Sequence, residues 1–212
     1  MKSMNDLFLH FLQDIYYAEK QGLRALAKVA KNVENEELKQ FLQEHREESQ
    51  QQIGQLEEVS QQVLGKKARG KPCAAMNGLI EEVDEAISEG EKGPVLDAAL
   101  IACVQAMKHY EIARIGALAA WAKQMGKDEA AQTLHDIVEQ DKEADEHLND
   151  IAEEHANPEA DDEDEDDEDE DEEDDEDEDD EEGDDEGEAE PAEEPAPAPA
   201  PARSGGGRRK KS

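Results

Sequence analysis

The chain has 212 residues, carries a formal net charge of −38 and contains only 3% aromatic residues. No segment approaches the run of about 18 apolar residues that spans a bilayer, which argues against a membrane-spanning helix. The two cysteines, Cys73 and Cys103, lack the spacing of a zinc site or a disulfide framework, so we expect a cytoplasmic protein.

The charge divides the chain into two parts. The segment from Glu159 to Ser212 holds 30 acidic and 5 basic residues, a net charge of −25, whereas the first 158 residues have a net charge of −13. A run of 22 consecutive acidic residues cannot bury apolar surface and repels itself. We therefore predict a folded domain at residues 1–157 and a disordered, acidic, Pro/Ala-rich tail at residues 158–212 that ends in a basic patch.

Apolar residues recur at helical spacing throughout the first part, and no strand alternation interrupts them. Asn35 suits a helix N-cap, Gly65 a helix end and Pro94 a first turn. Four of the five predicted helices are long, about 40 Å each. An isolated coiled coil is disfavoured by the breaks, so we predict an all-α, four-helix bundle with a short extra helix in its long crossover. The predicted bounds are 5–31, 36–64, 73–88, 94–125 and 128–156.

Each long helix interrupts its apolar stripe with a carboxylate near its midpoint. These residues are Glu19, Glu48, Glu111 and Asp141, and His45 lies three residues before Glu48 on the same helix face. Because the midpoints of equally long helices share one layer of a bundle, we expect these side chains to converge. Unpaired charges buried there cost several kcal/mol each, so protonation, Lys or Arg partners, or bound cations must relieve them.

Carboxylates and imidazole that face inward from four helices are typical of di-iron and di-manganese bundles. Such donors suit iron or manganese better than structural zinc. By symmetry Glu48 and Glu111 are the predicted bridging ligands, and Asp145 is either a ligand or a surface acid. We predict two iron or manganese ions as cofactors, bound by Glu19, His45, Glu48, Glu111, Asp141 and Asp145.

Four segments carry a resemblance to a known family. They are "LQDIYYAEKQGLRALAKVAK", "HREESQQQIGQLEEV", "CAAMNGLIEE" and "HYEIARIGALAAWAKQMG". In this order they resemble the bacterial YciE/YciF family of ferritin-like proteins over about residues 4–155. The resemblance implies a ferritin-like fold, a homodimer, a dinuclear metal site and an association with stress responses. The chain departs from the wider ferritin-like pattern because it contains no Glu-x-x-His motif.

Two functions remain open at this point. The first is a stress-response metalloprotein that oxidises Fe²⁺ or consumes peroxide at its metal centre, for which no catalytic residue is assigned. The alternative is a non-catalytic stress-protection or interaction protein with a vestigial or structural metal site. The acidic tail is a solubilising segment, a weak cation binder or a surface for a basic protein partner. Its four final basic residues do not support a nucleic-acid partner.

Overall fold

The computed structural model describes residues 1–161, and within them every element of secondary structure is a helix. The prediction of an all-α bundle with a short extra helix is confirmed. Residues 158–161 of the predicted tail are helical, and the disorder and partners predicted for the rest of the tail lie outside the described residues. The helices are α1 (Met4–Val29), α2 (Glu36–Leu64), α3 (Ala74–Glu89), α4 (Pro94–Gln124) and α5 (Asp128–Ile151), followed by a π-helical turn at Ala152–Ala156.

Local sequence signals set the ends of these helices. The side chain of Asn35 accepts a hydrogen bond from the backbone N–H of Leu38 and so caps α2. Gly65 ends α2 with a φ of 65°, a left-handed conformation that favours glycine. Pro94 opens α4, where its missing N–H removes no helical hydrogen bond. The breaks that the sequence predicted therefore lie at these residues.

The four long helices form a ring around one core. Helix α1 packs against α2 and α4, and α5 packs against α2 and, most extensively, against α4. The short α3 lies in the crossover between α2 and α4 and covers α1 and α4. The core contains fully buried side chains such as Phe8, Leu42, Leu100 and Ile137, each of which contributes about 1.5–3 kcal/mol through burial.

A band of polar side chains interrupts this apolar core. These side chains come from all four long helices and are at most 3% exposed: Glu19, His45, Ser49, Gln52, Lys108, Glu111 and Asp141. A folded protein rarely keeps so many polar groups inside unless they bond to one another or to a ligand. No helix within residues 1–161 is long and apolar enough to cross a membrane.

Candidate metal centre

Three carboxylates converge at the centre of the bundle. Glu19 comes from α1, Glu111 from α4 and Asp141 from α5, and each is at most 2% exposed. Each offers one oxygen atom, and these oxygens all lie within 4.8 Å of one another. Three of the four mid-helix acids therefore share one layer, as the positions of the helix midpoints predicted.

Lys108 supplies the positive charge of this layer. Its Nζ lies 2.5 Å from Glu111 Oε2 and 3.2 Å from Asp141 Oδ1, and the residue is 2% exposed. The contact with Glu111 is a close ion pair between two buried side chains. We did not predict Lys108. The available signal was its spacing of three residues before Glu111, which places both on one face of α4.

The charges in this cluster do not balance. Three ionised carboxylates and one ammonium leave a net charge of −2 in a water-excluded site. Burial, with the neighbouring charge of Glu111, raises the pKa of Glu19 well above its usual value, and burial raises the pKa of Glu111 against the opposing effect of Lys108. Burial alone would lower the pKa of Lys108, but Glu111, Asp141 and Glu19 together raise it. The lysine therefore stays charged, and the excess negative charge requires protons or a divalent cation.

Helix α2 presents Gln52 and Ser49 to the buried band, whereas Glu48 turns away from it. Gln52 Nε2 donates hydrogen bonds to Asp141 Oδ1 and Gln140 Oε1, both at 3.2 Å. Ser49 is 2% exposed, whereas the side chain of Glu48 is 36% exposed. One residue corresponds to a rotation of about 100° around a helix, which is enough to move a side chain from the core to its edge.

His45 lies at the edge of the cluster with one nitrogen available. Its Nδ1 lies 3.1 Å from Glu48 Oε2, and its ring stacks on Phe41. Because a carboxylate only accepts, Nδ1 carries the proton and the buried Nε2 keeps its lone pair. Nε2 has no hydrogen-bond partner among the described residues. Burial and the charge of Lys108 lower the pKa of His45, so the ring is neutral and Nε2 is a potential metal donor.

Asp145 lies outside the cluster. Its Oδ2 is 3.3 Å from His109 Nε2 near the surface, and its side chain is 22% exposed. Of the six predicted ligands, the structure thus gathers Glu19, Glu111 and Asp141 and places His45 beside them. The roles of His45, Glu48 and Asp145 as ligands remain predictions.

The donor set fits one divalent cation. Glu19 Oε1 and Asp141 Oδ2 are buried and lack hydrogen-bond partners within the described part of the chain. Carboxylate oxygens are hard donors that suit manganese and ferrous iron, and one such ion would neutralise the charge of −2. A second ion would add two further charges beside the Lys108 ammonium. The described residues form no second group of three donors.

A glycine on α1 leaves room for this cluster. A Cβ atom placed at Gly22 on α1 would lie 3.1 Å from Glu111 Oε1, closer than ordinary van der Waals contact. Gly22 lies three residues after Glu19, on the same face of the helix. The glycine therefore lets the Glu111 carboxylate approach α1, where Glu19 is.

Comparison with known proteins agrees with this architecture. Residues 3–161 match the family described as "Domain of unknown function (DUF892)". The chain belongs to this family. It is 45% identical over 152 residues to Protein YciF of Escherichia coli (strain K12), an alignment that covers 72% of this chain and 92% of YciF. The resemblance to the YciE/YciF family that the sequence indicated is thus confirmed.

Two solved structures match this chain closely. The crystal structure of the stress protein YciF of E. coli matches with a TM-score of 0.71 and 44% identity, and covers 74% of this chain and 99% of YciF. YcfI of Rhodopseudomonas palustris, described as "a putative structural protein", matches with a TM-score of 0.67 and 45% identity. That match covers 70% of this chain and 94% of YcfI.

Proposed function

We propose that this DUF892 protein is a stress-response protein that binds one iron or manganese ion in the core of its helical bundle. Glu19, Glu111 and Asp141 are the proposed ligands, and His45 Nε2, which has no partner among residues 1–161, is the proposed fourth donor. The observation that carries the proposal is the convergence of three buried carboxylate oxygens that a single lysine leaves undercompensated. The role in stress follows from the similarity to the stress protein YciF.

The chain's own residues prepare this site for a cation. Gln52 holds Asp141 by donating to Oδ1, and Oδ2 has no partner among residues 1–161. Glu48 fixes the tautomer of His45 and so keeps the lone pair on Nε2. Lys108 offsets one negative charge, which favours one ion over the two that the sequence predicted. A bound ion of either metal would supply one-electron redox and Lewis-acid chemistry.

The test is the metal content of the full chain purified without chelator and dialysed extensively. We expect about one iron or manganese ion per chain by elemental analysis, and its loss in Glu111→Gln with helicity unchanged. The acidic tail is the same in both proteins, so their difference reports only the core. Equal metal content in the wild type and Glu111→Gln would overturn the proposal.

A second candidate is a structural stress-protection protein without bound metal. The two ion pairs of Lys108 favour it, because they already compensate part of the buried charge and two protons on the carboxyl groups would complete the neutralisation. The description of YcfI as a structural protein is in keeping with it. The two candidates differ in one measurement: added Mn²⁺ raises the melting temperature of the chelator-treated chain only in the first.

A further inference from the structure

A cavity of about 320 Å³ lies between α2 and α5, beside the buried cluster. Among residues 1–161, three glutamates and no Lys or Arg line it, so it has a negative potential that concentrates cations. Glu44 and Glu143 are exposed, whereas His45 is buried. The cavity therefore has an acidic mouth and a histidine at its inner end. Its polar lining consists of Glu44, His45, Glu48, Gln140, Glu143 and His147.

The inner end of this cavity is one side chain away from the cluster. Gln140, in the cavity wall, accepts a hydrogen bond from Gln52 Nε2, and the same amide donates to Asp141 Oδ1. His45, also in the wall, is buried and its Nε2 has no partner within the described part of the chain. Gln52 therefore links the wall of the cavity to the buried cluster.

The size of the cavity suits a hydrated ion. Six water molecules occupy about 180 Å³ at roughly 30 Å³ each, which is less than the volume of the cavity. No three donors of the cavity converge on one point to hold a bare ion, because the one such group among residues 1–161 is Glu19, Glu111 and Asp141. A cation in the cavity therefore keeps its water shell, and it loses that shell only in the cluster.

We propose that this cavity is the access site through which hydrated divalent cations reach the buried cluster. Glu44 and Glu143 capture the ion at the mouth, and His45 and Gln52 separate it from the carboxylates. The inference rests on the proposed function and adds the route by which the site is loaded.

The experiment measures the rate of Mn²⁺ uptake by the full chain after chelator treatment, by rapid mixing, quenching with chelator and electron paramagnetic resonance. The test variants are Glu44→Gln/Glu143→Gln and Glu44→Lys/Glu143→Lys. The matched control is Glu58→Lys/Glu81→Lys, which changes the net charge equally at exposed residues outside the cavity. Uptake by Glu111→Gln reports the rest of the chain, including its acidic tail, and is subtracted.

We expect the charge-reversed cavity variant to take up Mn²⁺ at least about tenfold more slowly than its control. The uptake rate of the neutral variant should lie between the two. The amount bound at saturating Mn²⁺ stays unchanged, and higher ionic strength slows the wild type toward the variants. Equal loading rates in the cavity variant and its control would show that ions enter elsewhere. If the wild type binds no more Mn²⁺ than Glu111→Gln, the proposed function itself fails.

Discussion

Two regions of this molecule bury carboxylates, and they differ in whether the carboxylate oxygens accept hydrogen bonds. Asp97, at the start of α4, is 2% exposed and accepts hydrogen bonds from the backbone N–H groups of Glu34 and Asn35 at 2.7–3.1 Å. It joins the α1–α2 loop to α4. Glu19, at the centre, is equally buried, but its Oε1 has no partner among the described residues.

The difference separates a structural acid from a candidate ligand. Burial raises the pKa of both Asp97 and Glu19, so neither burial nor the direction of the shift distinguishes them. What distinguishes them is whether the carboxylate oxygens have donors, because a buried acceptor without one costs about 1–3 kcal/mol. A bound cation would remove that cost at the centre and change nothing at Asp97.

Among the variants that test this difference, Lys108→Met is expected to change the free energy of unfolding most. Removing one partner of a buried ion pair typically costs about 3–5 kcal/mol, since the remaining charge is left uncompensated. We expect about 3 kcal/mol of destabilisation in chelator, measured by denaturant unfolding, and a partial recovery with Mn²⁺. Lys142→Met is the control, because its pair with Glu139 lies on the surface and is expected to contribute less than about 1 kcal/mol. No recovery with Mn²⁺ would contradict the view that Lys108 stands in for cation charge.

Asp97→Ala should produce the next largest effect, and of a different kind. It leaves two backbone N–H groups without their acceptor, so we expect a loss of about 2 kcal/mol in the free energy of unfolding. Mn²⁺ should not restore this loss, and the metal content should equal that of the wild type. A metal content that falls in this variant would mean that the two regions are coupled.

The pH dependence of stability sharpens the contrast further. Glu19 and Glu111 have raised pKa values in the folded chain, so above their ordinary pKa of about 4.5 the native state binds more protons than the unfolded state. Their contribution therefore falls as the pH rises through the folded pKa values. The lowered pKa of His45 acts in the opposite direction below about 6.5.

To isolate the acid contribution, we compare the metal-free wild type with Glu19→Gln, which stays neutral. The stability of the wild type should fall relative to this variant as the pH rises above about 4.5, by at most about 1.4 kcal/mol per pH unit for each proton. Saturating Mn²⁺ should reduce the change of this stability difference with pH. A difference between the two proteins that does not change with pH would show that Glu19 is not protonated in the metal-free fold.

The smallest effect is expected from Glu48→Gln. Its side chain is 36% exposed and contacts His45 rather than the cluster, so we expect a change in Mn²⁺ affinity of less than about tenfold and a stability change of less than about 1 kcal/mol. Isothermal titration with Mn²⁺ measures the ratio of the dissociation constants of Glu48→Gln and the wild type, and Glu111→Gln gives the background. A complete loss of Mn²⁺ binding would restore Glu48 to the bridging role that symmetry suggested.

Much of the fold was predictable from local signals, whereas the identity of the inner residues was not. Asn35, Gly65 and Pro94 act within one or two turns, so the helix bounds agree with the prediction to within about two residues until the π-helical turn after Ile151. The rotation of a helix about its own axis depends on tertiary packing, and the sequence indicates it only through the stripe of apolar residues. On α2 an error of one residue exchanged Ser49 for Glu48.

Lys108 illustrates a different limit. A lysine is almost never fully buried unless it is paired, so its presence on an amphipathic helix ordinarily indicates solvent. Its burial becomes favourable because Glu111 on the same helix and acids from α1 and α5 converge there, and that convergence is a property of three helices together. The reasoning that predicted converging acids required protons, a Lys or Arg partner, or a bound cation there, but the sequence left open which of these it was.

Gly22 has a consequence for how this family can change over evolutionary time. Because an added methyl group would crowd Glu111 Oε1, residues 22 and 111 should not vary independently among relatives. Gly22→Ala alone should be harmful to the centre, whereas the same change beside Glu111→Asp, whose side chain is one methylene shorter, should be tolerated. Covariation of these two positions would then mark, from sequence alone, those relatives that keep this arrangement of carboxylates.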